Sequence, residues 1–181
     1  MYIAGRSDAH LLLAGPQPSG VADDPEANDV LQACLARWRA LPESARQKTH
    51  IACIPMDDTD ENATIVNALQ RHASVVVQKS LAEGFGLTVA EAMWKARPVV
   101  ATAVGGIADQ VVSGETGILL ADGRDLEEYG NALLTLLSAP TERRRMGQNG
   151  RRRALEHFLA DRHLEHWAGL FAGLDGAQPA T

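Results

Sequence analysis

The segment from Ser74 to Pro98 constrains the fold most, because three local signals follow one another in it. The run Ser74 to Gln78 contains three consecutive valines and predicts a buried strand. A loop with two glycines, Gly84 and Gly86, comes next, and the pattern from about Thr88 to Ala96 predicts a helix that ends before a proline. A strand, a glycine loop and a helix start in this order predict an anion site, because backbone amides and the helix dipole favour negative charge there.

The same alternation of short apolar runs and amphipathic stretches continues along the chain. Further strands are predicted at Leu11 to Ala14, Ile51 to Ile54, Val99 to Ala101 and Gly117 to Leu120. Further helices are predicted from about Pro25 to Ala40, from Asp60 or Asn62 to His72, from a cap at Asp125 to Leu137, from Thr141 to His157 and from Asp161 to Leu174. Apolar strands separated by helices predict an α/β fold, with a parallel sheet covered by helices on both faces.

A second glycine loop, Gly105-Gly106, follows the fourth predicted strand. Ligands of parallel sheets bind at the carboxyl ends of the strands. We therefore expect both glycine loops to lie at the same edge of the sheet and to contribute to one site.

Two carboxylates, Glu83 and Glu91, flank the first glycine loop. Carboxylates accept hydrogen bonds from hydroxyls, whereas loop amides hold phosphates, so the pattern favours a sugar nucleotide as ligand. A structural alternative is open for Glu91, because Thr88 and Glu91 also have the spacing of a capping box. Glu83 has no helix to cap.

The bulk composition excludes several classes of protein. The 181 residues suffice for one domain with a substantial core, and the net charge of −6 disfavours a general nucleic-acid binder. The arginine runs at 143–145 and 151–153 are interpreted as a solvated helix face. The sequence also has no apolar run of membrane-spanning length and no signal-peptide pattern, which predicts a cytoplasmic protein without a membrane partner.

No metal site is predicted. Asp58, Asp60 and Asn62 begin like a calcium loop, but Ala63 stands where that loop needs glycine. A solvated loop that places acid at a helix start is the preferred interpretation.

Glu83 and Glu91 have the E-x7-E spacing of the retaining glycosyltransferases with the two-domain GT-B fold. The wider pattern resembles the branch of trehalose synthase (glycosyltransferring) and retaining trehalose phosphorylase. It runs through Asn67 to Arg71, Val75 to Ser80, Glu83 to Thr88, Ala92 to Lys95, Val104 to Gly106 and Gly117. The resemblance implies the C-terminal half of a GT-B fold, with a Rossmann-like sheet that lacks its first strand-helix unit. It implies a donor-binding domain over residues 1–174 and a disordered tail over 175–181.

The resemblance implies a role for each matched position of the motif. Glu83 would be the catalytic-site acid that hydrogen-bonds hydroxyls of the transferred sugar. Phe85, Gly86 and Leu87 would offer backbone amides to the sugar and the diphosphate, and Thr88 would add a phosphate contact. Glu91 would hold the ribose hydroxyls.

The activity implied by the resemblance is transfer of glucose from NDP-glucose to glucose, with retention, to form trehalose. The nucleotide would be ADP or UDP, and no cofactor would be required. The family's phosphate-neutralising Arg and Lys are not matched here, so we expect the chain alone to be inactive. The last predicted helix has a broad apolar face that includes Trp167 and Phe171. We expect most of this face to pack on its own domain, and any part left exposed would suit a missing N-terminal domain or self-association. The alternatives are a retaining trehalose phosphorylase and a non-catalytic module that binds nucleotide or sugar phosphate.

Overall fold

The computed structural model describes residues 7–18 and 26–175. Its strands are β1 (Leu11–Pro16), β2 (Thr49–Ile54), β3 (Val76–Gln78), β4 (Val99–Thr102) and β5 (Gly117–Leu120). Its helices are α1 (Ala27–Arg39), α2 (Glu43–Arg46), α3 (Thr59–His72), α4 (Leu87–Trp94), α5 (Ile107–Gln110), α6 (Leu126–Ser138), α7 (Pro140–His157) and α8 (Ala160–Asp175). Each predicted strand and helix is confirmed in type. The sequence pattern missed the short helices α2 and α5, which are too brief to show a helical period.

The chain divides into two compact units. Unit 1 takes in the described residues of Met1–Ala73 together with Asp125–Pro140, and unit 2 takes in those of Ser74–Arg124 and Thr141–Thr181. The predicted α/β class with parallel strands is confirmed. Among the described residues the hydrogen-bonded pairing forms two sheets, β1-β2 and β3-β4-β5. Hydrophobic period identifies strands but carries no information on which strands pair, so the sequence did not predict this division.

In unit 1, β1 and β2 run parallel, with Leu11 opposite Thr49 and Pro16 opposite Ile54. The indole Nε1 of Trp38 on α1 donates to the carbonyl of Thr49 at 2.7 Å and ties that helix to the sheet. The leucines at 11–13 expose 42–47 % of their surface, although their apolar run predicted a buried strand. An apolar run indicates a preference for burial, whereas burial itself needs a covering element.

The start of α3 differs from the prediction. Asp58 is the N-cap, and its carboxylate accepts from the amides of Asp60 at 2.8 Å and Glu61 at 3.1 Å. The predicted caps, Asp60 and Asn62, lie within the helix. Asp58, Asp60 and Asn62 are all residue types that cap helices, so the sequence alone did not determine which of them begins α3. At α6 the predicted cap is confirmed, because Asp125 accepts from the amides of residues 127 and 128.

In unit 2, β4 lies between β3 and β5, and all three strands are parallel. The core combines α4, β4, α5 and α7. Its buried side chains are Val89, Ala92, Met93, Val99, Ala101, Ile107, Val111 and Ala154. This core fixes the positions of β3, β4 and α4, whose ends carry the motif.

The expectation that the last helix packs most of its apolar face on its own domain is wrong for the described residues, because that face is exposed in the structure. Leu164, Trp167, Leu170 and Phe171 on α8 expose 46–67 % of their surface. Of the predicted tail, Asp175 is the last residue of α8, and residues 176–181 lie outside the described residues. No helix in the described part of the chain is both long enough and apolar enough to cross a membrane.

Gly147 allows α7 to approach the end of α4, which yields a prediction. A Cβ on Gly147 would lie 2.2 Å from the carbonyl oxygen of Ala96, whereas a Cβ on Gly169 of α8 meets nothing within 4 Å. Gly147→Ala should therefore destabilise the protein by about 1–2 kcal/mol, because overpacking outweighs the gain in helix propensity. Gly169→Ala, the matched control, should gain up to about 1 kcal/mol. Urea unfolding followed by circular dichroism measures both, and equal effects would contradict the close approach.

Candidate functional site

The two glycine loops pack directly against each other in unit 2. The amide of Gly106 donates to the carbonyl of Gly84 at 2.7 Å. A Cβ on Gly105, whose φ is +50°, would lie 1.8 Å from the carbonyl oxygen of Glu83. The prediction that both loops lie at the same edge of the sheet is therefore confirmed. The second loop packs against the backbone of the first.

Hydrogen bonds orient the carboxylate of Glu83, which is half-buried. Its Oε2 accepts from Gln78 Nε2 at 3.3 Å and from Ser80 Oγ at 3.2 Å. Its Oε1 accepts from the amide of Gly84 at 3.1 Å. Because Gln78 ends β3, these contacts hold the acid at the carboxyl end of that strand.

The peptide groups of the loop have a defined direction. The carbonyl of Gly84 faces Gly106, and the carbonyl of Phe85 accepts from Gln110 Nε2 on α5. In a trans peptide the N–H points opposite to the preceding C=O. The amides of Phe85 and Gly86 are therefore turned away from the second glycine loop.

Gly86 is the N-cap residue of α4 and has a left-handed conformation, with φ 86° and ψ 56°. A Cβ there would lie 2.8 Å from Ile107 Cγ1, so both conformation and space require glycine. The first amides of a helix have no partner within it. Among the described residues, no acceptor is found for the amides of Phe85, Gly86, Leu87 and Thr88.

The capping-box alternative is wrong. The helix starts at Leu87 and its N-cap is Gly86, without a side-chain cap. Thr88 is therefore the second helical residue, where its backbone is helical and cannot serve as a cap. The positive φ of Gly86 places the start of α4 at the next residue. A capping-box pattern in the sequence does not indicate the backbone conformation of Gly86.

The remaining side chains of the motif are exposed. Phe85 and Leu87 expose 46 % and 69 % of their surface, and Thr88 and Glu91 are also exposed. Glu91 follows Leu87 by four residues and Thr88 by three, which places all three on one face of the helix. Glu91 Oε2 lies 3.8 Å from Nζ of Lys95, whose side chain is only 6 % exposed.

Three contributors to the site were missed by sequence reasoning. Gln78, Ser80 and Gln110 hold the acid and the loop, and none belongs to the E-x7-E pattern. Two signals were available. Gln78 is a polar residue at the end of a valine run, and Gln78 and Ser80 both lie within the matched pattern from Val75 to Ser80. Gln110 contacts a residue 25 positions earlier, a relation that local pattern does not reveal.

Taken together, the loop offers an oriented carboxylate, outward amides and a helix N-terminus. Amides at a helix start favour phosphate groups, and the carboxylates of Glu83 and Glu91 are suited to accept from hydroxyls. This combination fits a ligand that carries both phosphates and hydroxyls.

A cavity of about 140 Å³ lies elsewhere in unit 2 and is lined by residues of the 112–116 turn and of α7, including Asn149, Arg152 and Glu156. None of the motif residues lines it. Both acidic and basic side chains line it, so its walls have no consistent charge for a phosphate. We therefore place the candidate site at the glycine loop, on the basis of its hydrogen-bond geometry.

Comparison with known families gives a match to the model described as "Glycosyl transferases group 1" over residues 41–153. That range contains both glycine loops, both acids and most of α7.

Among curated proteins, the chain is similar to trehalose synthases. It is 48 % identical to that of Rubrobacter xylanophilus over 118 residues, which cover 65 % of this chain and 27 % of the relative. It is 44 % identical to that of Pyrococcus horikoshii over 115 residues, which cover 64 % and 27 %. It is also 42 % identical over 90 residues to the D-inositol 3-phosphate glycosyltransferase of Corynebacterium glutamicum, covering 50 % and 20 %. The match spans about a quarter of the length of the trehalose synthases.

Among solved structures, the fold is similar to sucrose-phosphate synthase from Thermosynechococcus elongatus, with a TM-score of 0.75 and 26 % identity over 98 % of this chain and 41 % of that one. It is also similar to HepE from Anabaena in complex with UDP-glucose, with a TM-score of 0.70 and 18 % identity over 95 % and 43 %. At that identity the second likeness concerns the fold alone.

Proposed function

Because this chain belongs to the glycosyl transferases group 1 family, we propose that it forms the nucleotide-sugar-binding part of a retaining glucosyltransferase that makes trehalose. The observation that carries the proposal is the loop of outward amides between an oriented Glu83 and an exposed Glu91. The identity of 44–48 % to trehalose synthases over 64–65 % of this chain favours glucose as both donor sugar and acceptor.

In the proposed complex, the diphosphate of NDP-glucose receives hydrogen bonds from the amides of Phe85, Gly86 and Leu87, and Thr88 adds a contact at the helix start. The carboxylate of Glu83 accepts from hydroxyls of the transferred glucose. Glu91 accepts from the ribose hydroxyls. The amides of Phe85 and Gly86 face away from the second glycine loop, and Thr88 and Glu91 lie on the exposed face of α4.

The proposed reaction forms a bond between the anomeric carbon of the donor and the anomeric hydroxyl oxygen of the acceptor. The bond from that carbon to the diphosphate breaks on the same face, and the acceptor's proton passes to the departing phosphate oxygen. No protein nucleophile is required. The chain contributes by positioning the donor and by stabilising the charge that develops on the diphosphate.

A binding module without chemistry is the second candidate, because the family's phosphate-neutralising Arg and Lys are not matched in this sequence. Such a module would retain the same donor site, so both candidates predict nucleotide binding. Transfer of labelled glucose from ADP-glucose or UDP-glucose to glucose by this chain would exclude the module without chemistry.

Calorimetric titration of the 181-residue chain tests the donor site directly. We expect ADP or UDP and the corresponding NDP-glucose to bind, and glucose 1-phosphate to bind more weakly because it lacks the nucleoside. Adenosine and uridine serve as controls without phosphate. A folded chain that binds neither diphosphate nor sugar nucleotide would overturn the proposal.

A further inference from the structure

Gln110 is a polar residue in the core of unit 2. It is 0 % exposed, and its Nε2 donates to the carbonyl of Phe85. Within the described part of the chain, its Oε1 has no hydrogen-bond partner. The unpartnered Oε1 destabilises the folded state, whereas an apolar side chain of the same length would leave the carbonyl of Phe85 without its donor. The contact with the loop is therefore what this glutamine provides.

The direction of the Gln110 amide follows from its contact. If the amide were turned over, Oε1 would face the carbonyl oxygen of Phe85, and two acceptors would meet. Nε2 must therefore face the loop. This contact holds the carbonyl of Phe85 inward, and the amide of Gly86 is turned outward as a consequence.

Arg153 on α7 holds the helix that carries Gln110. Its Nε donates to the carbonyl of Gln110 at 2.8 Å, and its Nη2 donates to the carbonyl of Asp109 at 2.7 Å. Both carbonyls belong to the end of α5, where the helix supplies no partner for them. One guanidinium thereby fixes the end of α5 from a position more than 40 residues later in the chain.

Phe158 connects the same arginine to the loop from the side. The guanidinium carbon of Arg153 lies 5.6 Å from the centroid of the Phe158 ring. That ring meets the ring of Phe85 edge-on, with centroids 6.2 Å apart and an interplanar angle of 71°. Phe85 is therefore held through its carbonyl by Gln110 and through its ring by Phe158.

We propose that Gln110 and Arg153 are positioning residues that hold the 83–86 loop with its amides directed at the ligand's diphosphate. The inference deepens the proposed donor site and rests on it for the identity of the ligand. Neither residue is assigned a contact with the ligand. Gln110 acts on the Phe85 peptide, and Arg153 acts on the helix that carries Gln110.

The first test needs no ligand. Arg153→Met should accelerate hydrogen exchange at the amide of Gly106, which bonds to the carbonyl of Gly84, as measured by NMR. Arg152→Met is the matched control, because it removes the same charge from the preceding residue, whose guanidinium donates to Asn149 within α7. Gln110→Met should reproduce the effect of Arg153→Met. If Arg153→Met does not fold, Arg153→Lys retains the charge but not the two-carbonyl geometry.

The second test compares ADP with AMP by calorimetry. The second phosphate makes ADP bind more tightly than AMP. This ratio of affinities should fall by about tenfold in Gln110→Met and Arg153→Met, because the amides are no longer held outward, and it should be unchanged in Arg152→Met. A merely structural role would weaken both nucleotides equally and would overturn the inference. Equal exchange rates in the Arg152 and Arg153 variants would also overturn it. If the wild-type chain binds no nucleotide, the donor-site proposal fails, and the exchange test still decides the positioning role.

Discussion

Replacing Gly105 with alanine is expected to weaken nucleotide binding by on the order of 100-fold, the largest loss that a single methyl group should cause in this chain. The added Cβ would lie 1.8 Å from the carbonyl oxygen of Glu83 and 2.8 Å from its carbonyl carbon. Both neighbours are backbone atoms, so no side chain can rotate to make room. The two glycine loops must separate, and the hydrogen bond from Gly106 to Gly84 is lost with them.

Gly114→Ala is the matched control for this substitution. Gly114 also has a positive φ, of 84°, but a Cβ there meets nothing within 4 Å. It should therefore cost about 1–2 kcal/mol of stability from backbone strain and leave nucleotide affinity unchanged. Circular dichroism establishes that each variant is folded, and calorimetry with ADP and UDP measures binding. Wild-type affinity in a folded Gly105→Ala variant would show that the packing of the two loops is irrelevant to the ligand.

The secondary structure of unit 2 was predictable because its signals are local. Valines at 75–77, the proline at 98 and the alternating apolar stretches each identify an element within a few residues. The position of Gly105-Gly106 beside the first glycine loop was also predictable, since the carboxyl ends of neighbouring parallel strands share one edge.

The details that shape the site were not predictable, because they depend on contacts between distant residues. The contact of Gln110 with Phe85 spans 25 positions, and that of Arg153 with Gln110 spans 43. The left-handed Gly86 is the N-cap in place of the predicted Thr88, and the space beside it is limited by Ile107, which follows it by 21 positions. A capping-box pattern was therefore present in the sequence without being formed in the structure.

The two acids of the motif are expected to respond differently to substitution. Glu91→Gln should weaken binding of ADP and UDP by about 10- to 100-fold, since hydrogen bonds to a charged group contribute about 1.5–3 kcal/mol each. Glu83→Gln should leave ADP and UDP binding within a few-fold of wild type. It should remove the extra affinity for the corresponding NDP-glucose, because the proposed role of Glu83 concerns the sugar.

The ion pair between Glu91 and Lys95 supplies the competing explanation for Glu91. Its atoms are 3.8 Å apart, and the lysine side chain is nearly buried. If Glu91 matters only because it pairs with Lys95, then Lys95→Met should weaken nucleotide binding as much as Glu91→Gln does. If Glu91 binds the ribose, Lys95→Met should retain most of the affinity, because the carboxylate remains on the exposed face of α4. Calorimetry on the three variants with ADP, UDP and the matching sugar nucleotides separates the roles of the two acids. In the proposed donor site, Glu91→Gln weakens binding of the nucleotide itself, whereas Glu83→Gln removes only the affinity that the sugar adds.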